Sequence, residues 1–248
     1  MGKVIKKILI VCIWLLLWQL VAIVIHNKIL LAGPVETLGS LQRMAGEAEF
    51  WNSLKSSYLH IMLGALIGIV LATAFSALGF KYEIVKDILS PVVTAIKAVP
   101  VASFIILVLI WIGSENVSTV VVALVVFPVM YIGINNAFAS ADKKLLEMAY
   151  VYRMPGFNTF RYIYLPVLIP GIKSALSVAI PMGFKSGVAA EVIGQPLLSM
   201  GNGLYKAKIY LDTGDVFAWT IVIVLVSFVT EKLFLFLVSL ADKGGKAK

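Results

Sequence analysis

Six long apolar stretches, at positions 8–25, 54–79, 88–112, 117–138, 165–190 and 216–240, alternate with short polar segments along this 248-residue chain. A membrane-crossing helix needs about 20 consecutive, mostly apolar residues. Each stretch therefore predicts one crossing, and the expected fold class is an all-α membrane protein with six transmembrane helices. The first stretch follows Lys3, Lys6 and Lys7 as in a signal peptide, yet no small-x-small cleavage pattern closes it before His26-Asn27-Lys28. It is read as a retained helix. An even number of crossings puts both termini on one side.

The two longer segments on the opposite side differ in character. Residues 34–53 begin with Pro34 and mix Leu38, Leu41, Met44 and Phe50 with Glu36, Arg43, Glu47 and Glu49, which predicts a short helix lying at the membrane surface. Residues 192–215 carry Gly194, Pro196, Gly201, Gly203 and Gly214 and then Asp212 and Asp215, which predicts irregular backbone resting on protein or water. Within the apolar stretches, Gly64 and Gly68 form a GxxxG step suited to close helix packing. Pro91, Pro100, Pro128, Pro170 and Pro181 each remove a helical hydrogen bond and favour a kink or an unwound turn.

Composition agrees with the membrane reading: 60% of residues are hydrophobic, only 14% are charged, and the mean hydropathy is +0.98. Residues 1–248 are read as one transmembrane domain, with no stretch left over for a separate soluble one. The net charge of +8 does not point to nucleic acid, because Lys and Arg cluster at the ends of apolar stretches instead of forming one basic face. Thirteen of them fall with the N-terminus, the 80–87 and 139–164 loops and the C-terminal end, against five (Lys28, Arg43, Lys55, Lys206 and Lys208) on the other side. The positive-inside rule then places both termini in the cytoplasm. Cys12 is the single cysteine, which leaves no intrachain disulfide or cysteine cluster. His26 and His60 have no second ligand at metal spacing, so no metal site is expected.

The most informative segment is the loop from Ala141 to Pro166, ADKKLLEMAYVYRMPGFNTFRYIYLP. It is long for a connection between helices, and its pattern is an amphipathic helix broken at Pro155-Gly156 and followed by a second short helix. Leu145, Met148, Ala149 and Val151 need a cover that water cannot supply, which points to a partner on that side.

This segment resembles the EAA loop of ABC importer permeases. Glu147-Met148-Ala149 stands for E-A-A, Leu165-Pro166 follows at the family's interval, and Phe160 holds its aromatic position. The family's glycine six residues after the glutamate is Arg153 here, and Gly156 comes three residues later. Further likenesses run over residues 30–240 and point to the nitrate/sulfonate/taurine-type branch. They are Leu31 to Leu38, Ala98-Val99-Pro100-Val101-Ala102 with Ile110-Trp111-Ile112-Gly113, Pro128, and Phe184 to Glu191.

The resemblance implies a type I (MetI-like) importer with two permease subunits, most simply a homodimer, two ATPase subunits and an external solute-binding protein, seated in the bacterial cytoplasmic membrane. Its coupling loop, 139–164, would dock the ATPase through Glu147, Met148, Ala149, Arg153, Gly156, Leu165 and Pro166. ATP and Mg would belong to the ATPase, and no cofactor is expected on this chain. No G-x4-G-K-[ST] loop occurs, in agreement with that division.

Lys97, Lys173, Lys185 and Glu191 are the ionisable residues within or at the ends of apolar stretches. Such charges normally face protein or a wet cavity. Lys173 lies close enough to the cytoplasmic end to snorkel, and Lys97 is open to either reading. Lys185 is the deepest: it either lines the pathway or serves as a structural hydrogen-bonding group. The resemblance places Lys185, Phe184, Glu191 and Pro100 along the translocation pathway, and a cation there would favour an anionic, sulfonate- or nitrate-like solute. Two other classes fit less well. An intramembrane enzyme lacks its nucleophile–base pair, paired aspartates or HExxH. An ion-coupled secondary carrier would suit a deep lysine, but not the docking loop or the lack of an inverted repeat.

Overall fold

A computed structural model describes residues 2–27 and 29–246, apart from the side chains of residues 3, 4 and 241–246; Lys28 and Lys248, both used in the charge count, lie outside the described residues. The described chain is helical throughout: α1 (Lys3–Ile25), α2 (Pro34–Ala45), α3 (Ala48–Lys81), α4 (Glu83–Ala98), α5 (Val101–Ile112), α6 (Val117–Ala139), α7 (Lys143–Val151), α8 (Gly156–Thr159), α9 (Leu165–Gly194), α10 (Met200–Ile209) and α11 (Thr213–Lys246). A π-helical turn at Phe160–Tyr164 joins α8 to α9. It absorbs Pro166, which has no N–H to give and whose ring would press on the carbonyl four residues back.

Helices α3, α6 and α9 form the centre of the bundle. Among the residues that α3 buries, Ser53, Ser57, Ile61, Gly64, Gly68, Ala72, Ser76 and Gly79 recur every three or four positions, and nearly all are small. A side chain at Gly64 would strike the Thr119 carbonyl and Val122, and one at Gly68 would meet the Ala123 carbonyl and Val126. The GxxxG step therefore brings α3 against α6. The same device recurs between α6 and α9, where Gly133 faces Ala175 and Gly171 faces Ala137. Close backbone approach maximises dispersion contact, which matters where lipid removes the hydrophobic drive for helix association.

Five helical spans are long and apolar enough to cross a membrane, and a sixth forms if the bent pair α4–α5 is taken as one. That pair corrects the expectation of a single helix over 88–112. The chain bends by 102° between α4 and α5, because Pro100 forces Val99 out of the helical region, to φ −74° and ψ 131°. Pro91, Pro128, Pro170 and Pro181 instead stay inside their helices. The second crossing starts earlier than position 54: at 34 residues α3 is about 51 Å long at 1.5 Å per residue. It therefore projects beyond a hydrocarbon core of about 30 Å. The 192–215 segment is irregular only at 195–199 and 210–212; α10 lies between these stretches, and the ends belong to α9 and α11.

Helix α1 stands apart and touches the bundle toward its C-terminal end. There the Trp18 indole donates to the Ala32 carbonyl at 3.1 Å and its ring lies 5.2 Å from Phe217. The surface helix α2, expected within 34–53, is tied to the start of α11 by Arg43, which pairs with Asp212 at 3.2 Å and with Asp215. Those carboxylates, Asp215 foremost, hold the guanidinium pKa above its ordinary value.

Candidate functional site

Helix α7 opens on Asp142, whose carboxylate accepts from the Lys144 N–H at 2.9 Å and so satisfies one of the helix's open donors. It closes at Arg153, which sits at φ +52°. The Arg153 N–H donates to the Tyr150 carbonyl at 3.1 Å and the Met154 N–H reaches back to the Ala149 carbonyl at 2.8 Å. These two bonds are a Schellman close with Arg153 at the left-handed position that glycine usually takes. The arginine in place of the resembling family's glycine thus leaves the turn intact and puts local strain on a non-glycine residue.

The loop is anchored to the bundle by a small apolar knot of Ala141, Ala149 and Ile163, with Leu146, Met154, Tyr164 and Val167 packed around it. Ala149 is thus the inward residue of the Glu147-Met148-Ala149 triplet, and Glu147 and Met148 face outward. Leu145, Val151 and Phe157 are also exposed, as are Tyr150 (87%) and Tyr152 (79%). Gly156 opens α8, and Leu165 and Pro166 open α9. The two-helix elbow thus presents a largely apolar exposed surface.

The residues expected along the pathway divide between two faces of α9. Phe184 and Glu191 are seven residues apart, so they share one face, and that face points into the bundle. Phe184 is 2% exposed and packs near Tyr58, and Glu191 is 1% exposed. Neither borders an open path within this subunit. Lys185 lies about 100° round the helix from Phe184 and is exposed with Val178 and Met182. Pro100 is exposed at the bend between α4 and α5.

Glu191 has a structural task that no local sequence signal announces. Its carboxylate accepts from the Ser57 hydroxyl at 2.7 Å and from the Gly201 N–H at 3.2 Å, and the Ser57 oxygen accepts from the Met200 N–H at 2.8 Å. The carboxyl group sits at the N-terminus of α10, where open N–H groups and the helix dipole favour an acceptor. A side chain at Gly201 would run into Glu191 and the Val192 backbone. The cluster therefore clamps α10 onto α9 and α3 at the end of the bundle opposite the α7 loop. The signal that could have found Ser57 is the small-residue stripe of α3, of which Gly64 and Gly68 are only the most visible part.

A bundle of membrane-spanning helices with a braced, apolar elbow at one end defines a membrane permease that works with a partner outside the bilayer. Residues 64–244 match the family described as binding-protein-dependent transport system inner membrane component, and the chain belongs to that family: it is an ABC importer permease. It is 24% identical over 221 residues to the taurine transport system permease protein TauC of Escherichia coli, covering 86% of this chain and 80% of that one. It is 22% identical over 182 residues to the formylaminopyrimidine transport permease protein ThiX of Halalkalibacterium halodurans, covering 73% and 72%. Among solved structures, an amino acid ABC transporter with histidines shares the fold at a TM-score of 0.58 and 18% identity, over 79% of this chain and 92% of that one. The protein is thus a multi-pass component of the cytoplasmic membrane and the translocation subunit of a binding-protein-dependent importer, a transport component without catalysis of its own.

Proposed function

We propose that two copies of this chain form the pathway of an importer, that each docks one ATPase subunit on the α7–α8 elbow, and that the cargo is a small anionic solute of sulfonate-like chemistry. In this reading both termini and the elbow are cytoplasmic, and ATP with Mg is bound and hydrolysed by the ATPase. The external binding protein delivers its solute on the face built by α2, α10 and the α10–α11 turn. The observation that carries the reading is the elbow: exposed Leu145, Met148 and Tyr150 beside Glu147, on a helix capped at both ends. A stiff helix can pass a push to α9 through Leu165 and Pro166, whereas a slack loop would absorb it. The charge balance, thirteen cations against five, supports the cytoplasmic placement. The taurine permease relative and the outward Lys185 support an anionic cargo.

The test is Glu147→Lys in the assembled transporter. The chain should still insert, because Glu147 is exposed and makes no bundle contact. Co-purification of the ATPase subunit should weaken, or ATP hydrolysis should continue without uptake. Wild-type assembly together with wild-type coupled uptake would sink the docking role.

A further inference from the structure

Helix α4 is amphipathic in the membrane sense, apolar outward and polar toward the bundle. Ile84, Ile88 and Val92 lie on its exposed side, while Lys86, Ser90, Thr94 and Lys97 line a cavity of about 220 Å³ against α6. From α6 the cavity takes Tyr131, Asn135 and Asn136, and no carboxylate is on its wall. It adjoins a second cavity of about 460 Å³ that shares Lys86 and Asn135 and opens toward Lys81, Glu83 and Tyr164, at the end of the bundle that carries the α7 elbow.

The donor balance of this wall is uneven. Thr94 donates to the Ser90 carbonyl at 2.8 Å, and the Asn135 amide N–H groups go to the Ser76 hydroxyl at 3.1 Å and the Tyr131 carbonyl at 2.7 Å, so these donors are used internally. Ser90, Asn136 and both lysine ammoniums keep theirs, and neither Lys86 nor Lys97 forms an ion pair among the described residues. Tyr131 is 5% exposed and its hydroxyl, beside Asn135, is sealed from the cavity, so it offers no donor to a ligand there. Two unpaired cations, free hydroxyl and amide donors and no acid describe a site for an acceptor-rich, negatively charged group.

We propose that this α4–α6 cavity is a binding site for a tetrahedral oxyanion, a sulfonate or phosphate group, held by Lys86 and Lys97 with Ser90 and Asn136 as neutral donors. Such a group reaches it either from water, as a free anion or the head of a small solute, or from the bilayer, as an anionic lipid headgroup. The site is separate from the elbow and from Lys185, so it stands or falls without reference to coupling or cargo.

The experiment uses the full chain in phosphatidylcholine nanodiscs, without ATPase or binding protein. One arm titrates sodium sulfate and inorganic phosphate against chloride at constant ionic strength and follows the thermal midpoint. The other adds phosphatidylglycerol and counts the lipids retained by native mass spectrometry. Wild type should show saturable binding in at least one arm: response to sulfate or phosphate marks an aqueous source, and response only to phosphatidylglycerol marks the headgroup. The Lys86→Gln, Lys97→Gln double variant should lose at least tenfold in that affinity. Lys97→Arg, which keeps the charge, and Lys143→Gln, on the elbow, should stay within about twofold of wild type; these two also control for folding. Binding by the double variant equal to wild type, or no saturable binding of any probe by wild type, overturns the proposal.

Discussion

The Glu191 carboxylate and the Ser57 hydroxyl meet at 2.7 Å although 134 residues of chain separate them. Through this one bond the C-terminal end of α9 is joined to α3, and through the Ser57 oxygen both are joined to the first turn of α10. Glu191 thus accepts donors from two other elements, which explains how a carboxylate is tolerated 1% exposed in so apolar a bundle.

Ser57→Ala should therefore loosen α10 without dispersing the bundle. It removes a donor from the carboxylate and leaves the Met200 N–H open, a loss of about 1–3 kcal/mol for a buried group left unsatisfied. Hydrogen exchange should rise at the amides of Met200 to Gly203 while α6 stays protected. Glu191→Ala should reproduce and exceed it. Unchanged exchange at α10 in both variants would show that the clamp contributes nothing.

Arg153 offers a prediction of opposite sign. A non-glycine residue in the left-handed region carries a penalty of about 1–2 kcal/mol, part of which glycine returns through its freer unfolded chain. Arg153→Gly should make the elbow more stable by about 0.5–1 kcal/mol net, read as slower limited proteolysis between α7 and α8. Arg153→Val should do the reverse, because branching at Cβ makes that conformation worse. Faster cleavage in Arg153→Gly would mean that the arginine side chain is itself holding the turn.

What could be read from the sequence depended on whether its cause was local. The crossings followed from length and hydropathy, although the fifth runs back without interruption from Leu165 through the π-turn to Gly156. The GxxxG contact was legible since Gly64 and Gly68 carry their packing role in their own lack of a side chain. The 102° bend was not: Pro100 is one of five prolines in apolar stretches, and only the packing of α5 across α6 and α9 separates it from the four that stay in helix. The inward turn of Phe184 and Glu191 was equally hidden, because helical spacing says which residues share a face but not which way that face points. Helix α10 was masked by Gly201 and Gly203, chosen for contact with Glu191 and Trp219 and not for flexibility.

Orientation in the membrane can be checked with two exposed positions on opposite ends, Leu197 in the α9–α10 connection and Tyr152 in the elbow, each 79% exposed. In a Cys12→Ser background, Leu197→Cys should react with a membrane-impermeant maleimide on intact cells. Tyr152→Cys should react only after permeabilisation. The reverse pattern would overturn the placement of the elbow in the cytoplasm and, with it, the ATPase docking surface.

Lys185 supplies the sharpest test of the pathway. It lies on the outward face of α9 with Val178 and Met182, and it forms no ion pair among the described residues, so the bundle does not need its charge for internal pairing. In a narrow passage an anion about 4 Å from it would be favoured by on the order of 4 kcal/mol at an effective dielectric of about 20, enough to change flux by well over tenfold. Lys185→Met keeps the stem and removes the charge. If Lys185 lines the path, uptake of an anionic solute should fall by at least tenfold, while yield, ATPase assembly and thermal midpoint stay within error of wild type. Lys185→Arg should restore a large part of the uptake, since charge is what the passage requires. If Lys185 instead braces the contact between two copies of the chain, Lys185→Met should lower the midpoint and the dimer fraction, and the surviving dimers should transport normally. Measuring uptake, midpoint and dimer fraction on one preparation separates the two: wild-type uptake per surviving dimer removes Lys185 from the pathway.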